Sequence, residues 1–150
     1  MKKIHDIFIV TETPHSGTLK AVIEDAVKLR GMGFTVSFLV PEVTEGYTRY
    51  GQDIIDNIAQ LRQYGDVITV PMRKRYSAIP GDVRYLRLFF ANRTECLVIS
   101  HGGYAGKICR LLFKTGSIKL LYHAPNSIDI VRKPFLTRLI ERWFEQYLAS

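Results

Sequence analysis

Cysteine is scarce in this chain of 150 residues, and its pattern excludes several classes of protein. Cys96 and Cys109 have neither the paired spacing of a zinc site nor the repeated spacing of a disulfide framework. The histidines also lack metal-binding spacing, so we predict no metal centre. Because each cysteine lies in an apolar segment, we expect two small buried residues in a reducing, cytoplasmic compartment.

Long hydrophobic runs are also missing. No apolar stretch approaches the roughly 18 residues that a membrane-spanning helix needs. The basic N-terminal residues lead directly into a strand-like run without a small-residue cleavage site, so we predict no signal peptide. Hydrophobic residues make up 47% and charged residues 23%, which is typical of a globular protein. The length suits one domain over residues 1–150.

Acidic residues are few in the second part of the chain. Residues 1–61 carry six Lys and Arg against eight Asp and Glu, whereas residues 62–150 carry fifteen against six. This asymmetry indicates an anionic partner such as a phosphate-bearing substrate or acidic lipid, and the alternative is a generally basic, solvated surface. No nucleic-acid recognition motif is present, so we expect no nucleic-acid partner. The candidate membrane or anion patch comprises Arg73, Lys74, Arg75, Arg132, Lys133, Arg138 and Arg142.

Short apolar runs rich in β-branched residues alternate with helix-length segments along the chain. Parallel strands joined in this way require right-handed crossovers, which place helices on both faces of the sheet. The pattern predicts an α/β fold, a doubly wound parallel sheet of about five strands in the order 3-2-1-4-5, which is a Rossmann-like three-layer sandwich. We expect the last helix, over residues 134–148, to pack on the core; the alternative is a basic amphipathic helix on an anionic membrane.

Three of the four histidines stand where predicted strands end. His15, His101 and His123 each follow an apolar, strand-like run. In a parallel sheet these ends share one edge, where ligands bind in the crevice at which strand order reverses. We therefore expect the three imidazoles to share a site, although exposed loops hold polar residues by chance as well. Glu12, at the end of the first strand, is expected to be an exposed loop acid; alternatively it orients a histidine or accepts a substrate hydroxyl.

Two loops at the same edge contain glycine but lack the signatures of known phosphate sites. Ser16-Gly17 stands where a dinucleotide-binding loop would carry three glycines, so Ser16 is either a helix N-cap or part of an anion site. The segment Gly102, Gly103, Tyr104 lacks essential positions of a Walker A loop and serves no nucleophile elbow. It predicts a glycine-lined turn where substrate can approach the backbone, ahead of a helix N-terminus.

Taken in order, four stretches resemble the N-terminal half of a family 4 glycosyltransferase, which has the two-domain GT-B fold. They are the strand, glycine-bearing loop and helix of residues 8–29, then residues 31–39, 97–106 and 119–127, the last followed by 139–142. The resemblance implies that this domain binds the acceptor, a sugar or lipid phosphate. A donor-binding domain or subunit, missing here, would hold the nucleotide sugar. It also implies a protein peripheral on the inner face of the membrane.

The resemblance further implies a reaction. A hexosyl group would pass from a UDP- or GDP-hexose co-substrate to a cell-envelope polysaccharide or lipid-linked acceptor, with retention of configuration and no tightly bound cofactor. His123 or Asn126 would orient the donor sugar as the catalytic residues. The implied substrate-binding residues are His15, Ser16, Gly17, His101, Gly102, Gly103 and Tyr104, with Gly17 near the donor diphosphate.

Two departures from the family pattern stand out. The family's paired glycines before the first helix are Ser16-Gly17 here, and His123 stands two residues before Pro125 rather than directly after a proline. The functional hypothesis from another class is a non-catalytic α/β binding module for an anionic ligand or a partner protein.

Overall fold

The computed structural model describes residues 4–12, 16–42, 51–124 and 135–149. The strands are β1 (Asp6–Thr11), β2 (Thr35–Pro41), β3 (Asp66–Val70), β4 (Cys96–His101) and β5 (Leu120–Ala124). The helices are α1 (Ser16–Gly31), α2 (Gly51–Leu61), α3 (Ile79–Phe90), α4 (Gly103–Lys114) and α5 (Phe135–Ala149), with a 3-10 turn at Tyr76–Ala78 before α3.

The predicted architecture is confirmed. The five strands form one parallel sheet in the order β3-β2-β1-β4-β5. Strand order reverses between β1 and β4, where Thr11 pairs with His101, and His101 in turn pairs with Ala124 of β5. The C-terminal ends of β1, β4 and β5 therefore lie level with one another. We call the side of the sheet formed by the C-terminal strand ends the carboxyl edge.

Alternation along the central strands builds a separate core on each face of the sheet. On one face Phe8, Val10 and Val98 pack with α3 and α4, and we call this the α4 face. On the other, the α1 face, Ile7, Ile9 and Ile99 pack with α1 and α2. Both cores are needed because a sheet of parallel strands is hydrophobic on both sides. Each fully buried large apolar side chain stabilises the fold by roughly 2 kcal/mol.

Two element boundaries change the setting of predicted site residues. His101 is the last residue of β4, and His123 is the fourth residue of β5, so both belong to strands rather than to loops. Helix α4 begins at Gly103, within the segment that the sequence predicted to be a turn ahead of the helix. His15, Asn126, Arg132 and Lys133 lie outside the described residues.

The expectation that the last helix packs its apolar face on the core was wrong. α5 meets α4 through an ion pair between Arg110 Nη1 and Glu145 Oε2 (2.6 Å). It also accepts a hydrogen bond at the Tyr147 carbonyl from Lys114 Nζ (2.7 Å). No helix within the described ranges is long and apolar enough to cross a bilayer. Four large side chains of α5 are exposed: Leu139 (46%), Ile140 (47%), Trp143 (63%) and Tyr147 (46%).

Candidate functional site

Glu12 caps the N-terminus of α4 at the carboxyl edge. It is 7% exposed, so the expectation of an exposed loop acid was wrong. Its Oε1 accepts a hydrogen bond from the backbone N–H of Tyr104 (3.1 Å), and its Oε2 accepts one from that of Ala105 (2.9 Å). A helix N-terminus presents unpaired N–H groups and a partial positive charge. The carboxylate satisfies both, so the protein's own acid occupies the position that an external anion would take.

Gly102 makes this arrangement possible. Its φ is +106°, in the region that favours glycine, and a Cβ built there would overlap the Glu12 carboxylate. The sequence predicted a glycine-lined turn where a ligand approaches the backbone closely. In the structure the group that makes this close approach at Gly102 is Glu12.

Asp82 of α3 is the centre of a second polar group on the α4 face. Its side chain is completely buried. It accepts hydrogen bonds from the Tyr104 hydroxyl (2.8 Å), the Arg73 backbone N–H (2.9 Å) and Arg73 Nε (3.0 Å). Desolvation and the neighbouring carboxylate raise the pKa of Tyr104, which therefore stays a neutral donor. We call Arg73, Asp82 and Tyr104 the Asp82 network.

The Asp82 network fixes the basic loop that follows β3. The Arg73 guanidinium pairs with Asp82, while its side chain remains 52% exposed. Lys74 has a φ of 52°, which is uncommon for a residue with a Cβ. The carbonyl of Arg75, whose side chain is exposed, accepts a hydrogen bond from Tyr104 (3.3 Å). Three cations of the predicted anion patch are thus held beside the start of α4.

His101 is directed towards α1. Its Nε2 lies 2.9 Å from Asp25 Oδ2, and its side chain is 7% exposed against 34% for Asp25. The pair joins the end of β4 to the middle of α1. Since this nitrogen is already bonded and the ring is buried, His101 serves first as a link between strand and helix.

His123 is directed towards α4 and is only half-buried. Its Nδ1 lies 2.9 Å from Ser100 Oγ on the adjacent strand. The ring packs against Gly106, where an added Cβ would overlap it. Burial is the main cause that lowers the pKa of His123, and the positive charge of Arg110 acts in the same direction. The imidazole is therefore neutral at pH 7.

His101 and His123 do not form the expected cluster of imidazoles. Ser100 and His101 are consecutive in β4, so their side chains project to opposite faces of the sheet. His123 bonds to Ser100 on the α4 face, whereas His101 bonds to Asp25 on the α1 face. Of the two, His123 is the more accessible to a ligand.

The other predicted residues fall into two groups. Ser16 and Gly17 begin α1. Apart from the adjoining residues and helix backbone, no atom of the described residues lies within 4 Å of a Cβ placed on Gly17. Arg138 and Arg142 lie in α5, where Arg142 is exposed. Cys96 and Cys109 are free and buried, and burial raises the pKa of both thiols, so neither is suited to act as a nucleophile.

The carboxyl edge on the α4 face thus combines three features. It has a basic loop at the end of β3, a helix N-terminus closed by Glu12, and a half-buried neutral imidazole at the end of β5. Cations bind phosphoryl oxygens, and a neutral imidazole binds a hydroxyl or phosphoryl oxygen. This surface is the candidate functional site.

Comparison with known proteins supports the fold and leaves the sequence family open. The structure is similar to the crystal structure of Acinetobacter baumannii MurG, a glycosyltransferase of the GT-B fold, with a TM-score of 0.56 and 12% identity. The match covers 92% of this chain and 39% of MurG, so the chain spans well under half the length of that enzyme. No protein-family model and no curated protein matches the sequence. The chain has a GT-B-like, Rossmann-like fold.

Sequence reasoning missed four residues that build the site. Asp82 and Asp25 looked like ordinary polar helix residues, and their partners are distant in sequence. Ser100 gave a usable signal, because a hydroxyl interrupts an otherwise apolar strand. Gly106 gave a weaker one, since glycine is unfavourable within a helix unless something packs closely against it.

Proposed function

We propose that this chain is the acceptor-binding half of a glycosyltransferase. It would work with a donor-binding domain or subunit that holds a UDP- or GDP-hexose. The hexosyl group would pass to a cell-envelope polysaccharide or lipid-linked acceptor. The observation that carries the proposal is the similarity of 92% of the chain to part of MurG. The basic loop and the half-buried imidazole at the carboxyl edge support it, because ligands bind at this edge in open α/β sheets.

In the proposed reaction the bond from the sugar's anomeric carbon to the donor diphosphate breaks, and a bond to an acceptor oxygen forms. The nucleoside diphosphate leaves with the bonding electrons, and one of its oxygens takes the proton that the acceptor hydroxyl loses. Negative charge grows on the leaving group, so donors placed there accelerate the step. The backbone at Gly17 is the proposed diphosphate contact, and His123 or Asn126 orients the sugar.

The basic residues would serve a phosphorylated acceptor. Arg73, Lys74 and Arg75 follow β3 at the carboxyl edge, where a lipid phosphate could pair with the loop. Helix α5 exposes Trp143 and Tyr147 beside Arg142, a combination that suits the surface of an anionic membrane. We therefore propose peripheral binding to the inner face of the membrane.

Binding to vesicles tests this proposal directly. The chain is titrated with vesicles of neutral lipid, with and without a polyprenyl phosphate, and then assayed with UDP-hexose and a supplied GT-B donor domain. We expect polyprenyl phosphate to strengthen binding, R75A to weaken it several-fold, and R62A to leave it unchanged. Arg62 is a matched control because it is exposed and follows the C-terminus of α2, at the opposite edge of the sheet. Equal binding to both kinds of vesicle would contradict a lipid-phosphate acceptor.

One observation favours the alternative, a non-catalytic module that binds an anionic ligand or partner protein. Glu12 occupies the N-terminus of α4, and the side chains of His101 and Tyr104 are used in internal hydrogen bonds. Under this alternative the chain binds its ligand without turnover whatever donor domain is added. Transfer of labelled hexose in the presence of a donor domain would exclude it.

A further inference from the structure

Ser100 presents an unusual bonding problem beside His123. Its side chain is on the α4 face, and the residue is fully buried in β4. The bond between Ser100 Oγ and His123 Nδ1, 2.9 Å long, is the only one that its hydroxyl makes within the described residues. A serine hydroxyl has one proton to donate, and a buried donor without an acceptor is costly. The direction of this single bond therefore matters.

We propose that Ser100 donates its proton to Nδ1 and thereby holds His123 as the neutral tautomer with its proton on Nε2. If Nδ1 carried the proton instead, it would donate to Ser100 Oγ and leave the buried serine proton without an acceptor among the described residues. A doubly protonated ring creates the same conflict. The tautomer of a histidine is commonly set in this way by the hydrogen bond at its other nitrogen.

The surroundings of His123 act in both directions on its protonation. Arg110 of α4 and His101 of β4 disfavour a positive ring, whereas Glu145 of α5 and Glu12 at the end of β1 favour one. Burial outweighs these charges and lowers the pKa of His123. Gly106 lets the ring lie close against α4, which fixes its plane. Within the described residues, Nε2 has no bonding partner.

Nε2 of His123 therefore donates a hydrogen bond to a ligand and does not take a proton from it. This inference rests on the proposed function and specifies one contact in it. A donor at this position binds a lone pair, such as that of a sugar hydroxyl or a phosphoryl oxygen. It does not deprotonate the acceptor hydroxyl. His123 would thus position an oxygen of the ligand, and Ser100 is a positioning residue that acts through His123.

Nuclear magnetic resonance of the ligand-free chain tests the tautomer. With ¹⁵N-labelled histidine, long-range nitrogen–proton correlations show which ring nitrogen is protonated, and a pH titration follows each ring. We expect neutral His123 to be protonated on Nε2. In S100A the ratio of the Nε2–H to the Nδ1–H form should fall about fivefold, which corresponds to the loss of one ordinary hydrogen bond. The pKa of His123 should rise in the same variant. S37A, which replaces a serine on β2 of the same sheet, should change neither the tautomer ratio nor the pKa of His123.

Two results would overturn the proposal. One is a neutral His123 that carries its proton on Nδ1, and this is read from the wild-type chain whether or not any variant folds. The other is an unchanged ratio and pKa in S100A or, should that chain not fold, in the near-isosteric S100C. Because these measurements use no ligand, they are independent of the proposed function. Adding UDP-glucose or inorganic phosphate then tests separately whether the His123 Nε2–H resonance shifts.

Discussion

Each face of the sheet holds one histidine at the carboxyl edge, and the two histidines differ in burial and in hydrogen-bond partner. On the α1 face His101 is buried and bonds to the carboxylate of Asp25. On the α4 face His123 is half-buried and bonds to the hydroxyl of Ser100. An ionised carboxylate can only accept hydrogen bonds, whereas a hydroxyl can donate one as well as accept. The two rings occupy adjacent strands, so the face and the partner determine what each can do.

The faces also differ in how much polar structure they bury near this edge. The α4 face contains Glu12, Asp82 and Ser100, each satisfied by specific hydrogen bonds. On the α1 face the buried polar side chains at this edge are those of Thr11 and of His101, which pairs with the partly exposed Asp25. If this comparison is sound, substitutions on the α4 face should cost more stability than those on the α1 face.

The largest expected effect comes from D82A. This substitution leaves the Arg73 backbone N–H without its acceptor and leaves the Tyr104 hydroxyl with only the more distant Arg75 carbonyl. It also removes the partner of a guanidinium. We expect a loss of about 3 kcal/mol in the free energy of unfolding, measured with urea. D66A, which replaces an exposed acid at the start of β3, should lower the free energy of unfolding by less than about 0.5 kcal/mol. A loss in D82A as small as that in D66A would contradict a structural role for the Asp82 network.

The second expected effect comes from E12A. It removes the acceptor for two backbone N–H groups at the start of α4, and we expect a loss of about 2 kcal/mol. The freed helix N-terminus should then attract anions. Phosphate should raise the Tm of E12A more than that of the wild type or of E42A, which removes an exposed acid at the end of β2. An equal response of all three would show that Glu12 does not occupy an anion position.

The sequence predicted the architecture well and the site only in part. The parallel sheet followed from the alternation of apolar runs and helix-length segments, which is a local pattern, and the order 3-2-1-4-5 is a common one for such doubly wound sheets. The partners at the carboxyl edge are distant in sequence: Glu12 bonds to Tyr104 and Ala105, and His101 to Asp25. Such pairings depend on which face each side chain occupies. A shift of one residue in a strand boundary reverses that face, and boundaries are the least reliable part of a sequence pattern.

On the α1 face, D25A tests the smaller contribution of the pair with His101. Asp25 is partly exposed, so water compensates for some of the lost interaction. We expect a loss of about 1 kcal/mol in urea denaturation. E24A is the matched control, because Glu24 is the exposed neighbour of Asp25 in α1, and it should have little effect. A loss in D25A larger than that in D82A would reverse the proposed difference between the faces.

The smallest expected effect is the pH dependence that His123 contributes. The fold lowers the pKa of this ring, so on acidification the unfolded chain binds a proton before the folded chain does. The free energy of unfolding should therefore fall as the pH drops below about 6.5, the pKa of an unperturbed histidine. H123Q removes this contribution, and its stability should depend less steeply on pH between 7 and 5. H5Q, at an exposed histidine before β1, should keep the wild-type slope. If H123Q also keeps it, burial on the α4 face does not lower the pKa of His123.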